Sequence, residues 1–371
     1  MSMYCPKTHF DLIAENLPTW TDFIAKTAAA NVVGRHALIR EDLKADNVEF
    51  GLKAAVVDAF KLHLKQIGYP TAGITFDDAV RASSQNVNDQ MQVRLHELVP
   101  LTNYLLHGKK TFFFGGNLTE KLSETDVNVS AELLKMPFPA CMFVYDNQVA
   151  RDALYGVYNR EAPRKGTVTA YLMNFIDEDG NNVMSMDVYD TQSSGEFGVA
   201  VRRQLVMAEG NNIEDVLKTD WAKINQGKNK GGHRATDVEV LGDKVFMEEG
   251  LKIVRIIANS ALYLASANPD IIPGLREAPK VDGRAPFMFE KRMFERRLTS
   301  TDYITVGSSC KPYAEALDVE GRKLDHQIKV RGHWRSQPYG PGMSLRRDTF
   351  IEPYWKGPDA AEILNKSYSV R

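Results

Sequence analysis

Near residue 125 the apolar residues change their period, and this change constrains the fold more than any other feature of the chain. Before it, the spacing is helical. "DLIAENLPTWTDFIAKTAAANVV" (11–33), "EFGLKAAVVDAFKLHLKQIGYP" (49–70), "DDAVRASS" and "DQMQVRLHELVPLTNYLLHGK" repeat apolar positions at i, i+3, i+4 and i+7. Pro18 interrupts the first, with Thr19 placed to cap a second helix near Trp20, and Gly68 and Pro70 end the next. After the change, the segments are short and β-rich. "PACMFVYD" reads as a buried strand entered through prolines. "GTVTAYLMNFIDEDGNNVMSMDVYDTQ" reads as a hairpin turning at Asp-Gly.

Further along, "FGVAVRRQLVMAEG" follows a polar loop, and "NIEDVLKTDWAKINQ" is an amphipathic helix with Asn212 near its N-cap. "DKVFMEEGLKIVRIIANSALYLASANPD" is the longest and most apolar helix. "IIPGLREAPKVDGRAP" reads as a Pro/Gly-rich linker, and "PFMFEKRMFERRL" as one more helix. The class is α+β: a helical region at 1–125, an α+β core at 126–275 of antiparallel strands packed with helices, and a basic C-terminal region at 276–371 that ends in a β-hairpin.

Charge narrows the functional classes. The net charge is only −2, so the molecule as a whole is no polycation seeking nucleic acid. Yet residues 280–347 hold 14 Lys/Arg against 8 Asp/Glu, about +6, which leaves about −8 for the rest. That charge asymmetry points to an anionic partner for the C-terminal region. No run of about 18 apolar residues occurs, and the N-terminus lacks the apolar stretch of a signal peptide, so a cytoplasmic protein without a membrane partner is expected. Cys5, Cys141 and Cys310 are far apart, with no CxxC, which fits a reducing compartment. His326 and His333 are not at a metal-ligand spacing.

Most chemical motifs fall to simpler readings. "FFFGGN" (112–117) lacks the third glycine of a dinucleotide fingerprint and a following helix. "GKNKGGHR" (227–234) lacks the ending of a phosphate loop and reads as a basic loop. Asp187 and Asp190, with Asp177, Glu178 and Asp179 before them, resemble a carboxylate cluster for Mg²⁺, but the last three sit at a turn that favours such residues locally. No cofactor or metal is called for.

The C-terminal stretch "KVRGHWRSQPYGPGMSLRRDTFIEPYWKGP" (329–358) is different. By alternation Lys329, Arg331, His333 and Arg335 share one face, while Ile328, Val330 and Trp334 share the other, where Trp334 would anchor the hairpin to the core. A turn-rich "QPYGPG" leads to a second arm with Arg346 and Arg347. Edge strands often carry charge merely to deter aggregation. Here arginine predominates, and aromatics (Trp334, Tyr339, Phe350, Tyr354, Trp355) interleave with it, a combination suited to single-stranded or ribosomal RNA. The candidate RNA- or anion-binding residues are Lys329, Arg331, His333, Arg335, Tyr339, Arg346 and Arg347. No catalytic residue is assigned, although His333 is the candidate acid or base if the protein is a ribonuclease.

Three blocks, "MPFPACMFVYD", "LYLASANPDI" and "VRGHWR…PYGPG…IEPYWKGP", together resemble a family of phage and mobile-element proteins. It includes the type V-A anti-CRISPR protein that lowers expression of its target nuclease. The resemblance implies a phage-encoded anti-defence regulator whose partners are the ribosome or RNA together with a nascent peptide or host protein. For the relative it implies recognition of a nascent N-terminal peptide followed by loss of its mRNA. The target is not carried over, and the N-terminal helical region is where target choice would differ. A ribosome-associated endoribonuclease and a direct protein inhibitor of a host factor stand as alternatives.

Overall fold

The structure, a computed structural model, describes residues 7–30, 45–134, 136, 138–156, 160–176, 180–191, 197–207, 210–217, 243–266, 268–277, 300–311 and 328–356. The predicted basic loop at 227–237, the helix at 286–298, Cys5, His326 and the turn residues Asp177–Asp179 lie outside them.

Five helices come first: α1 (His9–Asn16), α2 (Pro18–Ala30), α3 (Ala45–Gln66), α4 (Phe76–Ala82) and α5 (Ser84–Leu106). The local chemistry sets their ends. Thr8 and Asp11 form a capping box on α1, as do Thr75 and Asp78 on α4. At the end of α3, Gly68 takes φ +79°, and the Gly68 and Tyr69 amides bond back to the Lys65 and Leu64 carbonyls, the expected stop. The expected Thr19 cap is not what forms. Helix α2 starts two residues earlier, with Pro18 at its first position, where its missing N–H is harmless. Both the Thr19 amide (2.8 Å) and its hydroxyl (3.0 Å) donate to Asp58 of α3 instead.

Strand β1 (Lys110–Phe114) and α6 (Gly116–Ser123) follow, then β2 (Ala140–Tyr145), α7 (Gln148–Gly156), β3 (Thr167–Ile176), β4 (Asn182–Thr191) and β5 (Phe197–Val206). Helix α8 is described over 213–217, with the Asn212 side chain accepting from the Glu214 amide as a cap. The long α9 (Asp243–Ala265) precedes β6 (Ile271–Glu277) and β7 (Ser300–Val306). Strands β1–β7 form one sheet in the order β5-β4-β3-β2-β1-β7-β6. It draws strands from all three of the segments expected from sequence.

The antiparallel β3–β4 hairpin matches expectation, and Gly180, the glycine of the Asp-Gly pair, takes φ +81°. Two features differ. The sheet is mixed, because β1 runs parallel to both β2 and β7. "FFFGGN" does have a following helix, α6. A five-residue apolar run next to helical sequence cannot be told from helix by periodicity. Its first glycine serves packing: a Cβ on Gly115 would lie 3.2 Å from the carbonyl oxygen of Gly307, after β7, where a Cβ would in turn lie 2.4 Å from the Leu118 side chain. Secondly, the expected linker at 271–286 begins as β6, an edge strand. An edge tolerates Pro273, which has no N–H to give.

Helices cover both faces of the sheet. Met142, Val144, Tyr171 and Tyr189 meet α1, α2, α3 and α5 through Ile13, Trp20, Leu98 and Leu101. On the other face Phe112, Phe114, Phe143 and Tyr145 meet α6, α7 and α9. The first interface also buries a polar cluster. His9 stacks on Tyr189 at 4.2 Å, reaches the Tyr171 hydroxyl at 3.2 Å and lies 3.3 Å from Glu97, which Arg94 holds at 2.6 Å. Burial pushes the His9 pKa down, against the pull of Glu97. Pro100 inside α5 cannot donate to the His96 carbonyl, and that oxygen accepts from Arg202 of β5 at 2.7 Å.

Asp187 and Asp190 are buried apart rather than clustered. Asp187 pairs with Arg202 towards the first helical layer, whereas Asp190 accepts from the Tyr155 hydroxyl of α7 on the other side. Burial pushes the Asp187 carboxyl up, opposed by Arg202. The two do not converge on a metal. Among the described residues, no helix is long and apolar enough to cross a membrane.

Candidate nucleic-acid interface

The C-terminal stretch forms one long antiparallel ribbon with a break. Its stem is β8 (Ile328–Val330) against β11 (Tyr354–Lys356), and its arm is β9 (His333–Tyr339) against β10 (Leu345–Ile351). Between them, at Arg331-Gly332 and Glu352-Pro353, the ribbon docks on the body.

Gly332 is the contact point. It forms a parallel bridge with Thr125, just after α6, and its carbonyl accepts from the Asp126 amide at 3.2 Å. A Cβ at 332 would lie 2.3 Å from Thr125 Oγ1 and 2.9 Å from Pro353 Cδ, so only glycine fits. Two residues on, Trp334 turns inward and packs on Phe350 (ring centroids 5.1 Å), which meets Tyr263 of α9 edge-on at 5.7 Å. The Trp334 indole N–H donates to Asn259 Oδ1 at 3.0 Å. The fully buried Asn259 amide nitrogen donates in turn to the Leu122 carbonyl (2.9 Å) and the Thr125 carbonyl (2.8 Å). One side chain of α9 thus ties the end of α6 to the hairpin. A third tie is the ion pair between Lys121 and Glu352. Burial alone would lower the Lys121 pKa, but bonding to Glu352 and to the Cys310 thiol leaves it raised.

The expected basic face divides. Residues directly opposite in an antiparallel ribbon share a face. The register therefore sets His333, Arg335, Gln337 and Tyr339 with Ile351, Thr349, Arg347 and Leu345 on the outer face. Arg347 lies 5.4 Å from the Tyr339 ring centre, a cation–π contact. Arg346 opposes Pro338 on the Trp334 side and so does not join them. Arg331 is drawn to Asp126 at 3.3 Å across the docking point. Lys329 lies in the β8 stem, and its side chain is outside the description. His333 is exposed, and its one hydrogen-bond partner among the described residues is the Arg331 carbonyl at 3.5 Å.

Beyond Pro338 the arm leaves the body, and residues 339–347 are all exposed. The turn uses Gly340 at φ +78° and Gly342 at φ +62°. Tyr339, Met343 (68% exposed) and Leu345 present apolar surface at this tip. The sequence reading found the arm and its inward Trp334 but missed Asn259. The signal was there: an amide amid "IIANSALYLA" must find partners inside a core helix.

Residues 112–358, about two thirds of the chain, match the AcrVA2-like family, the anti-CRISPR type V subtype A2 family. The match runs from β1 through the hairpin and leaves α1–α5 outside it. No curated protein and no solved structure matches the chain. Membership of an anti-CRISPR family supports a phage anti-defence role. The chain belongs to the AcrVA2-like anti-CRISPR type V subtype A2 family.

Proposed function

We propose that the protein is a phage-encoded regulator acting in the host cytoplasm to suppress expression of a host target, and that the outer face of its hairpin engages RNA of the translation machinery. One observation carries this reading: a firmly docked arm sets Arg347 against an exposed Tyr339, with Arg335 and His333 further along the same face. Guanidinium groups suit phosphate, and the tyrosine gives a base a ring on which to stack. The helical layer α1–α5, outside the family match, would hold the target peptide or protein. In this reading His333 serves by its position on the outer face, next to the Arg331 carbonyl.

The test is ribosome and RNA co-sedimentation with Arg335→Glu/Arg347→Glu. Binding should be lost while the melting curve is unchanged, because both side chains are exposed. With a single-stranded probe, neutralising the pair (to Gln) should flatten the log–log salt dependence by roughly 1.4. Unaltered co-sedimentation would sink the reading. The apolar tip favours a second one, a direct protein partner. A pull-down that survives nuclease treatment of the lysate and is lost in Met343→Asp would select it.

A further inference from the structure

We propose that the cleft between the hairpin and the body binds a lysine side chain of a partner polypeptide. This site is separate from the outer basic face and does not depend on RNA binding there. The cleft has a volume of about 140 Å³ and is walled by Val129, Leu133, Leu262 and Ala265 of the body and by Trp334 and Asp348 of the hairpin. An engineered cavity of roughly 150 Å³ admits benzene, so a butylammonium stem fits in size.

The chemistry singles out an alkylammonium. Asp348 opposes Ser336, two residues along the ribbon from the Trp334–Phe350 pair and on the same inward face. Asp348 is half-buried, lines an apolar cleft and has no hydrogen-bond or ion-pair partner among the described residues. Arg346, two residues nearer the tip on that face, forms no ion pair with it there. An unpaired carboxylate against aliphatic walls loses hydration without compensation, and a ligand cation would restore it. The Trp334 ring adds an aromatic surface that attracts cations. The four aliphatic walls suit a methylene stem. Lysine has both parts, an apolar stem and a compact charged head.

The probe is a blocked pentapeptide, Ala-Ala-Lys-Ala-Ala, compared with its norleucine counterpart, which keeps the stem and drops the ammonium. Titration into the full chain is followed by NMR at the Trp334 indole N–H. That proton is held by Asn259 and identified by its loss in Trp334→Phe. The lysine peptide should bind at least about tenfold more tightly than the norleucine peptide, and Asp348→Asn should abolish that difference. The substitution is isosteric and part-exposed, and an unchanged melt would show that the fold is kept. Equal affinity for the two peptides, lysine binding unaffected by Asp348→Asn, or no movement of the indole signal with either peptide would each overturn the proposal.

Discussion

Replacing Asn259 with alanine should loosen the hairpin from the body, and the structure sets the size of the effect. The substitution removes three hydrogen bonds of 2.8–3.0 Å. The Leu122 carbonyl keeps the Thr125 amide at 3.2 Å, so it is not orphaned. The Thr125 carbonyl and the Trp334 indole N–H lose the partner the structure shows for them. Two stranded groups at about 1–3 kcal/mol each give about 4 kcal/mol. Alanine is the better helix former by about 0.5 kcal/mol, which offsets a little. The expected loss is therefore about 3.5 kcal/mol. Trp334→Phe strands only the Asn259 oxygen and should cost about 1–2 kcal/mol. Because the two share a bond, the double variant should be about 1 kcal/mol less damaging than the sum. Denaturant unfolding followed by circular dichroism measures the totals. Hydrogen exchange reads the place, with faster exchange expected in 328–356 and at the end of α6. A loss below 1 kcal/mol for Asn259→Ala, or unchanged exchange in the hairpin, would refute Asn259 as the tie.

Three further outcomes follow from the same geometry. Gly332→Ala should be worse than Asn259→Ala, since its new Cβ meets Thr125 Oγ1 at 2.3 Å; Gly332→Ala/Thr125→Ala should recover part of the loss in the same unfolding assay. His9 is buried with its pKa below the ordinary 6.5, so the unfolded chain binds its proton more readily than the folded one. Its contribution is complete above pH 6.5 and lost as pH falls from 6.5 through the lowered folded value, and His9→Gln should flatten that part of the stability–pH curve. His333→Ala should leave mRNA intact or degraded to the same extent as the parent protein does, with and without ribosomes; cleavage lost only in the variant would instead make His333 an acid–base group.

The family match and the structure give the C-terminal arm a frame without naming its partner. The matched region takes in the sheet, the helices α6, α7 and α9, and the hairpin, while α1–α5 form the layer outside it. His9, held by Glu97 and through it by Arg94, nevertheless joins that layer to Tyr171 and Tyr189 of the sheet. A partner held on the helical layer and one held on the hairpin would therefore sit on one continuous frame.

Local pattern by itself determined the helices of the N-terminal region, the β3–β4 hairpin, the Gly68 stop, the Asn212 cap and the inward side of Trp334. Each rests on a period or a cap that neighbouring residues settle among themselves. Tertiary structure alone decided the rest. Strand β1 takes its direction from β2 and β7, partners that a five-residue run cannot specify. Thr19 gives up capping because Asp58, 39 residues away, takes its donors. Arg331, Arg335 and Arg346 look equivalent as basic residues on a ribbon, yet one is held by Asp126, one faces outward and one lies on the opposite face. Nothing in the pattern of the basic arm marks Gly332 until Thr125 is set against it, because a close approach of two backbones belongs to both segments and is written in neither.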